Sequence, residues 1–126
     1  MKYELVLEEH PGYVHAIGTG ARTAENARRF LREAGEVAVR HPSRALLVEA
    51  RFIGPPLDTG KIFEVMQDRY PLGMRLRKIA YVELSPEHEP KGRFAETVAR
   101  NRGVNVRLFE NVDEARAWLL EEEEAP

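Results

Sequence analysis

The fold is decided by the last third of the chain, which reads Ile79-Ala80-Tyr81-Val82, then Val104-Asn105-Val106-Arg107-Leu108-Phe109, then Asn111-Val112-Asp113-Glu114-Ala115-Arg116-Ala117-Trp118-Leu119. The first two segments are short and apolar, which is typical of buried strands, and the third carries apolar residues at helical spacing. Asn111, with Glu114 three residues later, is typical of a helix N-terminus. With a helix expected between the two strands, this order predicts a parallel sheet covered by helices.

The rest of the chain extends this pattern. The apolar periodicity predicts strands at 3–7, 13–18, 45–48 and 76–84, a helix after Thr23 that ends at Pro42, and helices at 58–70 and 91–102. The turn His10-Pro11-Gly12 is short, and a parallel return would need a dozen or more residues, so the first two strands form an antiparallel hairpin.

We therefore expect one α/β domain over residues 1–126, with a core at 3–120 and an acidic tail at 121–126. Its sheet is mixed and mainly parallel, with five strands and an N-terminal antiparallel hairpin. Four helices cover both of its faces.

Composition excludes several classes of function. The 126 residues include no cysteine, which excludes disulfides and thiolate chemistry. The 19 basic and 21 acidic residues give a net charge of −2, without the basic excess of a nucleic-acid-binding protein. No apolar run approaches the roughly 18 residues that a membrane helix needs. Three acidic residues, Glu4, Glu8 and Glu9, lie among the first ten, where a signal peptide is apolar, so we expect a cytoplasmic protein with no membrane insertion.

No catalytic or metal motif is evident. The four histidines are His10, His15, His41 and His88, and none has another His or Cys at metal-ligand spacing. No nucleophile-elbow motif surrounds either serine. We therefore expect no enzyme activity, no cofactor and no metal.

Two carboxylates lie where the predicted fold would bind a ligand. Glu49 and Glu83 are near the predicted C-terminal ends of strands, where ligands of open α/β sheets bind. They form either an acid/base pair or ion pairs with Arg51, Arg75 or Arg77, and the second interpretation is favoured.

The turn Asp58-Thr59-Gly60 begins the second helix. Asp58 or Thr59 caps this helix in the structural interpretation. In the functional interpretation, the hydroxyl of Thr59 accepts a phosphate, because a helix N-terminus favours added negative charge.

At this turn the chain resembles the STAS family, the fold of bacterial anti-sigma-factor antagonists, and in particular its SpoIIAA-like branch. The resemblance covers roughly residues 3–120. It rests on the order of elements, on Ala45-Leu46-Leu47-Val48 and Phe52-Ile53 ahead of the turn, and on the tail from Val106 to Leu119. In the antagonists, a kinase phosphorylates a serine in the corresponding turn, and Thr59 matches that hydroxyl residue.

The resemblance implies two alternative functions. The first is a non-enzymatic interaction or regulatory module that meets a protein partner, with a surface formed by Asp58, Thr59, Gly60, Ile62 and Phe63. The second is a protein that binds a lipid or a small apolar molecule, because the family's fold is related to lipid-carrier domains. Its pocket beneath the second helix would be lined by Leu46, Val48, Phe63, Met66, Tyr70 and Ile79.

Overall fold

The chain begins with a β-hairpin. In the computed structural model, which describes residues 2–83 and 88–121, strand β1 (Glu4–His10) pairs antiparallel with β2 (Tyr13–Ala21). Only Pro11 and Gly12 connect the two strands, which is too short for a crossover. The expected hairpin is confirmed, but β1 extends to His10, which was expected to lie in the turn.

Three more strands continue the sheet in parallel. The remaining elements are α1 (Ala24–Arg40), β3 (Ala45–Ile53), α2 (Thr59–Gly73), β4 (Lys78–Val82), α3 (Glu89–Asn101), β5 (Val106–Phe109) and α4 (Val112–Leu120). The strand order in the sheet is β1-β2-β3-β4-β5, and each pair after the hairpin is parallel. The fold is therefore α/β with a mixed five-stranded sheet and four helices, as the sequence predicted.

Helices α1 to α3 pack on one face of the sheet and α4 on the other. On the first face, Phe30 of α1 is buried among side chains of β2 and β3, and Ala99 of α3 packs beside Val106. On the second face, Ala115 and Leu119 of α4 are buried against β3 and β4. Crossovers of one hand between consecutive parallel strands place their helices on the same side. Among the described residues, no helix is long and apolar enough to span a bilayer.

Three helices have side-chain caps where the sequence predicted that helices begin, although for α2 it left Asp58 and Thr59 open. The Thr23 hydroxyl accepts from the backbone N–H of Asn26 at 3.0 Å. The Asp58 carboxylate accepts from the N–H of Lys61 at 2.9 Å, so that Asp58 is the cap of α2. The third cap is on α4, where the Asn111 side chain accepts from the backbone N–H of Glu114. Each cap contributes about 1 kcal/mol by satisfying an otherwise unpaired N–H group.

The second helix is longer than the sequence predicted. We expected Pro71 to end it, but α2 continues through Pro71 to Gly73. Proline has no N–H to donate, yet its fixed φ is compatible with helical backbone. The Met74 N–H donates to the Tyr70 carbonyl at 2.9 Å, so the last turn closes in spite of the proline.

Several further boundaries differ from the predicted ones, including those of β2 and β3, which extend to Ala21 and Ile53 rather than to 18 and 48. Helix α3 begins at Glu89 rather than Lys91, because Pro90 in its first turn loses no helical hydrogen bond. Strand β4 covers Lys78–Val82 rather than 76–84. The sequence also predicted a loop over 86–90, but 89–90 belong to α3. The last residue of the predicted strand and the first two residues of that loop fall in residues 84–87, outside the described part of the chain.

A buried lysine orients α4 on its face of the sheet. The Lys78 ammonium donates to the carbonyl of Trp118 at 2.8 Å and lies 4.9 Å from the centre of the Trp118 ring. Arg77 also donates to the Leu119 carbonyl, at 3.4 Å. Cations at a helix C-terminus are stabilised by the helix dipole. These two residues therefore hold the C-terminal end of α4 against the start of β4.

Leu119 supplies the largest apolar side chain that α4 buries. It is 1% exposed, whereas its neighbour Leu120 is 52% exposed. We expect Leu119→Ala to lower the free energy of unfolding by about 2–5 kcal/mol, because the sheet cannot collapse into the space left behind. Leu120→Ala should change it by less than about 0.5 kcal/mol. Urea denaturation measures both, and equal effects would show that α4 is not anchored through Leu119.

Candidate functional site

An apolar cavity of about 100 Å³ lies beneath α2, between the sheet and the three helices of the first face. Its floor consists of alternating strand residues, and its roof comes from Met66 and Tyr70 of α2 together with residues of α1 and α3. Its lining includes Leu46, Val48, Ile79, Tyr81, Met66 and Tyr70.

Small residues on α3 leave room for this cavity. Gly92, Ala95 and Ala99 recur at helical spacing and line it from one side. On the other side, α1 and α2 approach closely at Gly35, where an added Cβ would lie 2.6 Å from the side chain of Leu72. The contact at Gly35 holds α2 against α1, and the short side chains of α3 leave the space between α2 and α3 unfilled.

A second cavity, also of about 100 Å³, adjoins the first. Five residues line both cavities: Leu31, Met66, Tyr81, Gly92 and Ala95. The second cavity extends past Phe52, Ile62 and Val65 towards the C-terminal ends of the parallel strands. We call the two cavities together the chamber.

The outer end of the chamber is polar. Arg22, Glu83, His88 and Lys91 line the second cavity there. This is the edge of the sheet formed by the carboxyl ends of β2 to β4, the location at which open α/β sheets bind ligands. Among the described residues, no carboxylate forms an ion pair with Lys91.

Hydrogen bonds fix the guanidinium of Arg22 at this end. It donates to the carbonyl of Phe52 at 2.9 Å and to that of Gly54 at 3.3 Å. It also lies 3.2 Å from Nδ1 of His88. Because a guanidinium only donates, Nδ1 accepts and the proton of a neutral His88 is on Nε2. The same Nδ1 is 3.8 Å from a carboxylate oxygen of Glu83.

Tyr81 stands where the apolar and polar parts of the chamber meet. Burial raises the pKa of its phenol to about 12, the negative charge of Glu83 raises it further, and Arg22 acts in the opposite direction. At neutral pH this hydroxyl is therefore a protonated donor beside the chamber.

The structure places the predicted pocket residues as follows. Leu46, Val48, Met66, Tyr70 and Ile79 line the first cavity. Phe63 lies outside it and is 42% exposed, with the guanidinium of Arg102 at 5.7 Å from its ring centre.

The predicted partner surface divides into two parts. Asp58, Thr59 and Gly60 are exposed at the N-terminus of α2, and Phe63 is exposed one turn further on. Ile62, in contrast, is buried and lines the second cavity.

The acid/base pair considered from the sequence does not form. Glu49 lies in the middle of β3, which extends to Ile53, and not at the end of a strand. Val82 is paired with Glu49 in the parallel register, so the next residue, Glu83, projects to the opposite face of the sheet. Glu49 instead forms an ion pair with Arg51, the interpretation that the sequence favoured.

Sequence reasoning missed four residues of the polar end: Arg22, Tyr81, His88 and Lys91. Arg22 directly follows β2, and a search for charged residues after each predicted strand would have found it. His88 and Lys91 could not be placed, because they are brought to Arg22 by the packing of α3.

Comparison with models of protein families finds no match, and no characterised protein matches the chain significantly. The resemblance to the STAS family therefore stays a prediction from the sequence.

The pKa of Tyr81 predicts an alkaline effect on stability. Because the folded-state pKa lies above the ordinary value of about 10, the neutral phenol stabilises the fold below pH 10, and this contribution is lost as the pH rises through about 12. We expect the free energy of unfolding to fall less steeply over this interval in Tyr81→Phe than in the parent protein. Urea titrations at a series of pH values measure the difference.

Tyr3 also has a raised pKa, caused by burial and by its hydrogen bond to Glu33. Tyr3 is present in both the parent protein and Tyr81→Phe, so its contribution cancels when the pH dependences of the two proteins are compared. Parallel curves for the two proteins would contradict the assignment to Tyr81.

Proposed function

We propose that this protein binds a small amphipathic molecule, with an apolar chain in the chamber and an anionic end group at Arg22 and Lys91. The observation that carries the proposal is that the chamber is apolar along its length and meets basic groups at one end. A medium-chain carboxylate has this chemistry.

The size of the chamber supports an organic ligand. Apolar cavities of about 150 Å³ in other proteins stay dry and bind benzene. Two adjoining cavities of about 100 Å³ each provide more space than that. Met66 lines both of them, and its flexible thioether side chain adapts to irregular shapes.

Unfilled space of this size is costly. At about 24 cal/mol per Å³, a cavity of 100 Å³ corresponds to roughly 2 kcal/mol of lost stability. This is a large share of the 5–15 kcal/mol or so that stabilises a typical domain. A ligand that fills the chamber recovers much of this loss.

The expected contributions to the binding free energy indicate that the polar end of the chamber is needed for affinity. Burying six CH₂ groups contributes about 5 kcal/mol, which corresponds to a dissociation constant between millimolar and micromolar before immobilisation costs. A charge-assisted hydrogen bond adds about 1.5–3 kcal/mol. The hydrogen bond between an anionic end group and Lys91 therefore raises the affinity above that of a ligand held by apolar burial alone.

Ala95 provides the test, because it lines both cavities. We expect isothermal titration calorimetry to detect octanoate binding to the parent protein, and Ala95→Leu to abolish it by filling the chamber. Ala117→Leu is the matched control, since Ala117 is exposed on α4. Thermal unfolding verifies that both variants are folded.

Octanol and octylamine test the end group. Octanoate should bind more tightly than octanol by about tenfold, and octylamine most weakly. Undiminished octanoate binding by Ala95→Leu would exclude the chamber, whereas equal binding of octanoate and octylamine would exclude the proposed end group only.

The second candidate function is an interaction module controlled at Thr59. It is supported by the exposure of Thr59 at the N-terminus of α2, beside the exposed ring of Phe63. A phosphate there would meet unpaired helical N–H groups, although the carboxylate of Asp58 opposes it.

Phosphorylation at Thr59 is tested with a lysate of the source organism and ATP, followed by mass spectrometric mapping. We expect the phosphate on Thr59 and not on Thr97, an exposed threonine of α3 whose hydroxyl donates to the carbonyl of Arg93. Thr59→Ala should remove the modification. A protein that stays unmodified, or that is modified equally at Thr97, would exclude the switch.

A further inference from the structure

Three potential metal ligands meet on the second face of the hairpin. Glu8 and His10 are two residues apart on β1 and therefore share a face. His15 of β2 is the cross-strand partner of Glu8. One ligand atom from each of the three residues lies within 4.8 Å of the others.

The distances converge on the carboxylate of Glu8. Its Oε1 is 3.3 Å from Nε2 of His10 and 3.8 Å from Nδ1 of His15. The His10 ring stacks on Tyr13 at a centroid distance of 4.6 Å, which limits its rotation. We call Glu8, His10 and His15 the hairpin cluster.

A buried carboxylate orients His15. Nε2 of His15 is 2.9 Å from Oε1 of Glu49, whose side chain is 1% exposed. An ionised carboxylate only accepts, so the proton of His15 lies on Nε2 and, in the neutral ring, Nδ1 keeps its lone pair. This lone pair is on the side of the ring that faces Glu8.

This arrangement is typical of the surroundings of a metal ligand. Histidines that bind metals usually donate their other ring N–H to a carboxylate, which sets the tautomer and makes the ligand more basic. The second oxygen of Glu49 accepts from Arg51, which holds the buried carboxylate in position.

We propose that the hairpin cluster is a binding site for Zn²⁺ or a similar divalent transition-metal ion. The ligands are the ring nitrogens of His10 and His15 that face Glu8, together with the Glu8 carboxylate, and a fourth position is open to solvent. Three protein ligands with one open position are a common coordination for zinc.

The charges of the site suit a divalent cation. With neutral histidines, Glu8 and Glu49 contribute two negative charges and Arg51 one positive charge. Two imidazole ligands favour zinc, nickel or cobalt over magnesium and calcium, which prefer oxygen ligands. Zinc–ligand bonds of about 2.0–2.2 Å require the three ligand atoms to move closer together. Glu8 and His10 permit this, because their side chains are 50% and 38% exposed.

The sequence pointed away from this site, because no two histidines recur at the spacing of a helical or loop zinc motif. The hairpin register brings His15 opposite Glu8, and β3 adds Glu49 from 34 residues further along the chain. The proposal is independent of the chamber, which lies on the other face of the sheet.

Calorimetric titration of the untagged protein with ZnCl₂ tests the proposal. We expect one Zn²⁺ per chain and no binding of MgCl₂ under the same conditions. Glu8→Gln should weaken zinc binding by about tenfold or more. Glu9→Gln is the matched control, since Glu9 lies next along β1, exposed on the opposite face. Equal zinc affinity of the two variants would overturn the proposal.

A cobalt spectrum tests the ligand set through His10, because substitutions of the buried residues His15 and Glu49 can impair folding. Cobalt bound by the parent protein should show the intense visible absorption of a four- or five-coordinate ion. His10→Ala, which changes a partly exposed ligand, should abolish this spectrum, and His41→Ala should leave it unchanged. A spectrum that persists in His10→Ala, or that disappears in His41→Ala, would overturn the assignment.

Glu49→Gln tests the positioning role. In a variant that unfolds at the same temperature as the parent, we expect zinc affinity to fall by about 10- to 100-fold while the stoichiometry stays at one. Unchanged affinity would show that Glu49 does not orient a metal ligand.

Discussion

The architecture depends on one topological constraint: the strands lie in the sheet in the same order as in the chain. Each crossover then advances in the same direction, and crossovers of one hand place α1, α2 and α3 on a single face. Only the nine-residue helix α4 remains to cover the other face. The two faces of the sheet therefore have different environments, and each holds one of the candidate sites.

Crowding of three helices on one face explains the chamber. The helices meet the sheet and each other, and their contacts are closest where a glycine permits it, as at Gly35. Where α3 presents Gly92, Ala95 and Ala99, the space between the helices is not filled. Larger side chains at these positions would add buried apolar area, so an unfilled chamber at this place costs stability.

The sparse cover of the other face explains the hairpin cluster. Helix α4 covers β3 and β4 but leaves the second face of β1 largely open, and Val6 there is 51% exposed. Polar groups occupy this region, with Glu49 buried beneath them. A buried carboxylate is tolerated only where partners compensate for its lost hydration, and His15 and Arg51 supply this compensation.

Local interactions made much of this structure predictable. The hairpin, the order of strands and helices along the chain, and the caps at Thr23 and Asn111 depend on residues that are close in the chain, and the sequence predicted them. For α2 the sequence left Asp58 and Thr59 as alternative caps, and the structure has Asp58. The helix boundaries were less accurate, since Pro71 is compatible with the last turn of α2 and Pro90 with the first turn of α3.

The sequence by itself determined the fold class and the apolar faces, because periodicity records which side of each element is buried. Only the tertiary structure decided which polar groups meet. Arg22 and His88 are 66 residues apart, and His15 and Glu49 are 34 apart. Such pairs depend on strand register and helix packing, which no local pattern encodes. The size of the chamber is likewise a property of how side chains from six elements fill space together.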